Sequence, residues 1–165
     1  FKYMMHNRTL LGERVWDGMM AISYLLQQDD IIPGYLGCVG FSGGGTTALF
    51  LSALDDRITN SVVAGYFCAL KQSILGVKHC ECNYVPDLLT LGEISDIAGL
   101  ITPRPLRIIS GEIDPIFPID SVIEQYDLLQ DIYQVFDAEQ QCWLGIHPDG
   151  HRPDYGLMAE GVSME

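Results

Sequence analysis

The most regular pattern in the chain starts at Leu10, where Leu11, Val15, Met19, Ile22, Leu25 and Leu26 recur at spacings of three and four. That is one face of an amphipathic helix running to about Gln28, with Thr9 in the N-cap position. Asp29-Asp30 and Ile31-Ile32-Pro33-Gly34 break the period and lead into the apolar run Tyr35-Leu36-Gly37-Cys38-Val39, which predicts a strand. Thr46 to Leu54 reads as a second helix. After a turn at Asp55-Asp56-Arg57, Val62-Val63-Ala64-Gly65-Tyr66 has the continuous apolar pattern of a strand covered on both faces. Strand, helix and strand in succession imply a parallel sheet.

Phe67 to Leu100 is the least regular stretch, with a short helix expected only over Ile94 to Leu100. It reads as an excursion over the sheet edge that helps to wall a site. Pro103-Arg104-Pro105 stiffens the approach to a third strand, Leu106 to Gly111. A helix from about Ile119 to Phe136 shows Val122, Ile123, Tyr126, Leu129, Ile132 and Tyr133 on one face, and Cys142 to Ile146 is a fourth strand. The expected fold class is α/β.

Composition narrows the classes. A chain of 165 residues with 48% hydrophobic content can bury one core of ordinary size. Nine Lys+Arg against 22 Asp+Glu give a formal charge of −13, which repels nucleic-acid phosphates and anionic lipid surfaces. No nucleic-acid or membrane partner is therefore expected, and no apolar stretch approaches the roughly 18 residues of a membrane span. Five cysteines, Cys38, Cys68, Cys80, Cys82 and Cys142, make an odd number. The count argues against a disulfide framework; the compartment is left open, with a cytoplasmic location favoured. His79-Cys80-Glu81-Cys82 offers metal-ligand chemistry, but no second C-x₂-C or H-x₃-H pair lies nearby to complete a tetrahedral site. Neither a metal nor a cofactor is expected.

The candidate chemistry centres on Gly40-Phe41-Ser42-Gly43-Gly44-Gly45, set between the first strand and the second helix. A serine held in a sharp strand-to-helix turn needs small neighbours so that strand and helix can approach closely, and Gly40, Gly43 and Gly44 supply them. Such a turn lifts the Ser42 hydroxyl to the positive end of the helix and aims the Gly43 N–H at an oxyanion. Alone, the motif also fits a plain turn. A dinucleotide fingerprint fits less well, because no acidic residue ends a second strand roughly 20 residues on.

Asp114 stands just beyond the third strand, and His151 in the loop His147-Pro148-Asp149-Gly150-His151 beyond the fourth. Loops at the carboxyl ends of parallel strands converge on one crevice. A serine hydroxyl there needs a histidine to take its proton and a carboxylate to orient that histidine. Asp120 and His147 are the rivals of Asp114 and His151. Asp120 suits the first turn of the next helix, and His147 lacks the freedom that Gly150 gives His151.

Three segments, Gly40-Phe41-Ser42-Gly43-Gly44, Ser110-Gly111-Glu112-Ile113-Asp114-Pro115-Ile116-Phe117-Pro118 and Gly150-His151-Arg152, resemble the catalytic motifs of α/β-hydrolases in the dienelactone hydrolase and acetyl xylan esterase branch. Arg14-Val15-Trp16-Asp17 resembles the helix before the elbow in those esterases, which places it behind the sheet with Arg14 and Asp17 pinning it by polar contacts. The resemblance implies a three-layer α/β/α fold with Ser42 as nucleophile, Asp114 as orienting acid, His151 as general base and Gly43 in the oxyanion hole. It implies an esterase for short acyl esters of small-molecule or carbohydrate alcohols. Asp149 departs from the family's usual glycine.

The resemblance also implies that residues 1–165 are the C-terminal portion of a single hydrolase domain. The early strands and the second oxyanion N–H would be missing, and the chain would stop before a full closing helix could form. A strand outside the chain would then pair with Leu36 to Phe41, and a homo-oligomer is open. The alternative readings are a serine peptidase of the prolyl oligopeptidase type and an inactive truncated hydrolase.

Overall fold

The computed structural model describes residues 2–32 and 34–162; for Met4 and Val162 the backbone alone is described. Pro33, part of the break predicted after the first helix, lies outside the described residues. Among them, the order of elements is α1 (Leu10–Leu25), β1 (Gly37–Phe41), α2 (Gly43–Leu54), β2 (Asn60–Ala64), α3 (Leu88–Leu91), α4 (Ile94–Gly99), β3 (Leu106–Gly111), α5 (Ile119–Val135), β4 (Cys142–His147) and α6 (Tyr155–Val162). The four strands pair in parallel in the order β1-β2-β3-β4, with Gly40 opposite Val63, Val63 opposite Ile108 and Ile108 opposite Leu144.

Alternation along these strands splits the interior in two. Val63, Leu106, Ile108 and Cys142 face a large core shared with buried residues of α1, α2, α4 and α5. Their neighbours Val62, Ala64 and Ile109 face the other way, against Phe41, Trp143 and Leu157 and Met158 of α6. Helices on both faces of a parallel sheet make a three-layer α/β/α arrangement. No described helix is long and apolar enough to cross a membrane.

The ends of the elements have local causes. The Thr9 side chain accepts from Gly12 N at 2.9 Å, the predicted N-cap of α1. The helix stops at Leu25, short of Gln28, because the Gln27 and Gln28 amides turn back and donate to the Ser23 and Tyr24 carbonyls at 2.9 and 3.0 Å. β2 ends before Tyr66 because Gly65 turns to a φ of +59°. On α5, Val122, Leu129 and Tyr133 are buried as expected, while Ile123 is exposed and Ser121 and Gln125 take places in the interior.

Two expectations are corrected. The stretch between β2 and β3 cannot run over the sheet edge, since both strands are internal; Lys78 to Cys80 and Asn83 lie beside Ser42 and His151, and α4 packs against α2 and α5. A closing helix does form: α6 lies on β2, and the Asn60 side chain donates to Gly161 O at 2.7 Å.

Asp55, at the end of α2, fastens this helix to α1. It accepts from Arg57 Nε at 2.7 Å, and Arg57 also reaches Ser23 Oγ at 2.9 Å and Met19 O at 3.2 Å. The hydrogen bond from Arg57 is the main reason that the Asp55 carboxyl lies below the usual carboxylate range, outweighing burial. A carboxylate with a depressed native pKa stabilises above its unfolded pKa, about 3.9, and loses that contribution as pH falls through the lower native value. Asp55→Asn is expected to cost about 1.5 kcal/mol in urea unfolding at pH 6. The gap from wild type should close as pH drops below about 4; a gap independent of pH would refute the assignment.

Among the described residues β1 pairs with β2 alone, and Val39 on it is 49% exposed. A free edge with apolar side chains promotes strand pairing between molecules. Residues 1–165 expressed alone should therefore associate in light scattering, and Val39→Lys should reduce the association. A monodisperse wild-type monomer would contradict this.

Candidate active site

The turn after β1 is built by close backbone approach. A Cβ on Gly40 would lie 2.1 Å from Gly44 O, and one on Gly45 would lie 2.7 Å from Ala64 O. Ser42, between them, has φ 53° and ψ −117°, a conformation that L-residues adopt only under constraint. The sequence pattern assigned the small-neighbour role to Gly40, Gly43 and Gly44. In the structure Gly40 and Gly45 carry it, whereas nothing lies within 4 Å of a Cβ on Gly44.

Ser42 Oγ lies 2.8 Å from His151 Nε2, and His151 Nδ1 lies 2.7 Å from Asp114 Oδ2. Asp114 is buried, and its other oxygen accepts from the backbone N–H groups of Ile116 at 2.8 Å and Phe117 at 3.2 Å. These bonds aim the carboxylate at the imidazole. The ring of His151 is flanked by Phe41, centroids 4.9 Å apart, and Phe117, at 5.5 Å. Gly43 opens α2, so its N–H belongs to the helix's first turn, where no intrahelical acceptor exists.

The rivals lie elsewhere. Asp120 sits in the first turn of α5. His147 is the buried last residue of β4, and its Nδ1 has no hydrogen-bond partner. Asp149 forms an exposed ion pair with Arg152 at 2.7 Å, across the loop that presents His151. α1 packs against α2; Asp17 is exposed, but Arg14 reaches towards the elbow, its Nη1 3.8 Å from the place of a Cβ on Gly43.

Ser42, Gly43 and His151 open onto a cavity of about 200 Å³, closed by Tyr66, Ile116 and Phe117 and by Lys78, His79, Cys80 and Asn83. The last four come from the irregular stretch after β2. No periodicity marks them in the sequence, and the pairing of His79 with Ser73 is set by the fold alone. Burial pushes the Tyr66 phenol up to about 12, so that it stays a neutral hydroxyl. Among the described residues, no three His, Cys, Asp or Glu side chains converge as a metal site.

No family model matches the chain. It is 32% identical over 127 residues to YtaP of Bacillus subtilis, a provisionally assigned hydrolase. That match covers 74% of this chain and 42% of YtaP. Among solved structures, the methylesterase BT1017 is 25% identical with a TM-score of 0.70, over 90% of this chain and 33% of its own. A glucuronoyl esterase from Solibacter usitatus is 15% identical with a TM-score of 0.73, over 90% of this chain and 46% of its own. A provisionally assigned acetyl xylan esterase from Bacteroides fragilis is 18% identical with a TM-score of 0.74, over 88% of this chain and 38% of its own. These structural neighbours are esterases of the α/β-hydrolase type, the class that the motifs resemble, and the chain shares their fold. It spans less than half the length of each of these proteins.

The close approaches at the turn predict unequal effects of alanine. Gly40→Ala must push β1 from α2 and should cost more than about 3 kcal/mol or prevent folding, as overpacking against backbone does. Gly44→Ala, in open space on a helix, should be neutral or stabilise by up to about 1 kcal/mol. Thermal unfolding of both variants checks this; similar melting temperatures would contradict it.

Proposed function

We propose that the protein is a serine hydrolase of carboxylic esters, in which Ser42 is the nucleophile, His151 the general base and Asp114 its orienting acid. The observation that carries the reading is the unbroken chain of hydrogen bonds from Ser42 Oγ through His151 to Asp114, at 2.8 and 2.7 Å. In this reading residues 1–165 form the C-terminal portion of one hydrolase domain.

His151 Nδ1–H donates to Asp114, which leaves Nε2 as the acceptor for the Ser42 hydroxyl proton. As Ser42 Oγ attacks the acyl carbon, the proton passes to Nε2 and the buried Asp114 stabilises the imidazolium. The carbonyl oxygen becomes an oxyanion facing the Gly43 N–H at the positive end of α2. The imidazolium then protonates the departing alcohol, and an acyl group remains on Ser42. Water, deprotonated by the same Nε2, attacks the acyl group and frees the acid. Phe41 and Phe117 hold the ring in one plane for both proton transfers.

The esterase neighbours support an ester over an amide as substrate. The name of the acetyl xylan esterase neighbour points to a short acyl group on a carbohydrate alcohol, whereas a glucuronoyl esterase carries its carbohydrate on the acyl side.

The test uses the full-length protein. A fluorophosphonate probe should label it on Ser42, and Ser42→Ala should abolish the label. Asp114→Asn should lower kcat on a short-chain aryl ester by about 10⁴-fold, and His151→Ala by at least about a thousandfold. His147→Ala should change kcat by less than about threefold. Labelling that survives in Ser42→Ala, or a larger loss from His147→Ala than from His151→Ala, would refute the assignment.

A further inference from the structure

One polar group on the cavity wall takes no part in the proposed reaction: the imidazole of His79. Its Nε2 lies 3.1 Å from the hydroxyl of Ser73, which is fully buried. The same Ser73 Oγ lies 2.8 Å from the carbonyl oxygen of Ile116. A carbonyl can only accept, so the single hydroxyl proton of Ser73 is spent on Ile116. Towards His79 the serine oxygen offers only lone pairs, and Nε2 must bring the proton. In a neutral imidazole the other nitrogen, Nδ1, is then an acceptor and nothing else.

The neutral ring is favoured: burial pushes the His79 pKa below its ordinary value and the nearby His151 acts in the same direction, together outweighing hydrogen bonding with the Ser73 backbone. The fold thus prepares a fixed acceptor on the wall of a cavity whose other polar side chains include Lys78, Tyr66 and Asn83. Asn83 has its Oδ1 3.4 Å from Thr46 Oγ1 and its Nδ2 3.3 Å from Cys80 Sγ.

Position assigns the acceptor to one part of the substrate. The His79 ring packs edge-on against Phe117, centroids 5.6 Å apart, and Phe117 is the ring that also lies against His151 at 5.5 Å. His79 therefore borders the cavity on the side of His151, where the proposed mechanism protonates the departing alcohol. We propose that His79 Nδ1 accepts a hydrogen bond from a free hydroxyl on the alcohol portion of the ester, and so selects esters of polyhydroxylated alcohols over alkyl esters of the same size. This rests on the esterase reading of Ser42, His151 and Asp114 and names the substrate feature that the site distinguishes. A histidine free to exchange tautomers would serve a donor or an acceptor equally. The relay through Ser73 to Ile116 removes that choice and makes the discrimination one-sided.

The test compares glycerol monoacetate with propyl acetate, which has the same carbon skeleton without the hydroxyls, on the full-length protein. The readout is the ratio of kcat/KM for the two esters, which does not depend on the fraction of folded protein. His79→Leu, which keeps an apolar side chain against Phe117, should lower the ratio about tenfold, mainly by raising KM for the glycerol ester. His79→Asn, whose amide oxygen falls near the place of Nδ1, should recover most of the ratio. Ser73→Ala, which releases the tautomer, should give an intermediate value. A ratio unchanged in His79→Leu, with hydrolysis that still depends on Ser42, would overturn the role of His79 and leave the esterase reading intact. Binding separates the reverse case. In a Ser42→Ala background, His79→Leu should weaken binding of glycerol monoacetate about tenfold in a ligand-observed NMR titration. That loss, together with a full-length protein that retains Ser42 yet hydrolyses neither ester, would remove the esterase reading and keep His79 as a hydroxyl acceptor. Equal binding with and without His79 would overturn the inference.

Discussion

The site depends on one steric constraint, the contact of the Gly40 backbone with the first turn of α2. A side chain on Gly40 would lie 2.1 Å from Gly44 O, so strand and helix can meet here only through hydrogen atoms. That approach forces Ser42 to φ 53°, and such strain survives only where the surroundings over-determine it. Ser42 N also donates to Ala64 O at 2.8 Å, which ties the turn to β2. The side chain is left at the carboxyl end of the sheet and the amino end of a helix, two features that favour an anion beside it.

The same logic extends to the other two residues of the hydrogen-bonded chain. Asp114 and His151 reach Ser42 because β3 and β4 run parallel to β1 and end at the same side of the sheet. Fine aim comes from local bonds: two backbone N–H groups on Asp114 and two aromatic rings on the imidazole of His151. Phe117 serves both parts, since its N–H holds Asp114 and its ring packs against both His151 and His79.

Much of this was legible in the sequence, for physical reasons. The strands covered by helices carry apolar runs, and each ends in a loop whose Gly, Pro or Asp marks the turn. The limits of β3 and the start of α5 at Ile119 follow directly. The order Ser42, Asp114, His151 was readable because parallel strands bring such loops together. What escaped depends on contacts between distant segments. Gly45, rather than Gly43 or Gly44, is required because Ala64 O passes beside it, a fact of sheet packing. Arg14 looked like a helix pin behind the sheet, yet its length lets it reach the elbow. His79 stood out in the sequence only within the run His79-Cys80-Glu81-Cys82, and its place on the cavity wall follows only from the path of an irregular stretch. The closing helix α6 was missed because its eight residues hold two glycines and little periodicity.

The central claim is that Ser42 carries the acyl group between two proton transfers through His151. The most direct measurement is acid quenching of the full-length protein during turnover of p-nitrophenyl acetate, followed by peptide mapping by mass spectrometry. The account predicts an acetyl group on Ser42 that forms before steady state and is lost when the ester is exhausted. Turnover without an acetylated intermediate, or with the acetyl group on any other residue, would contradict it.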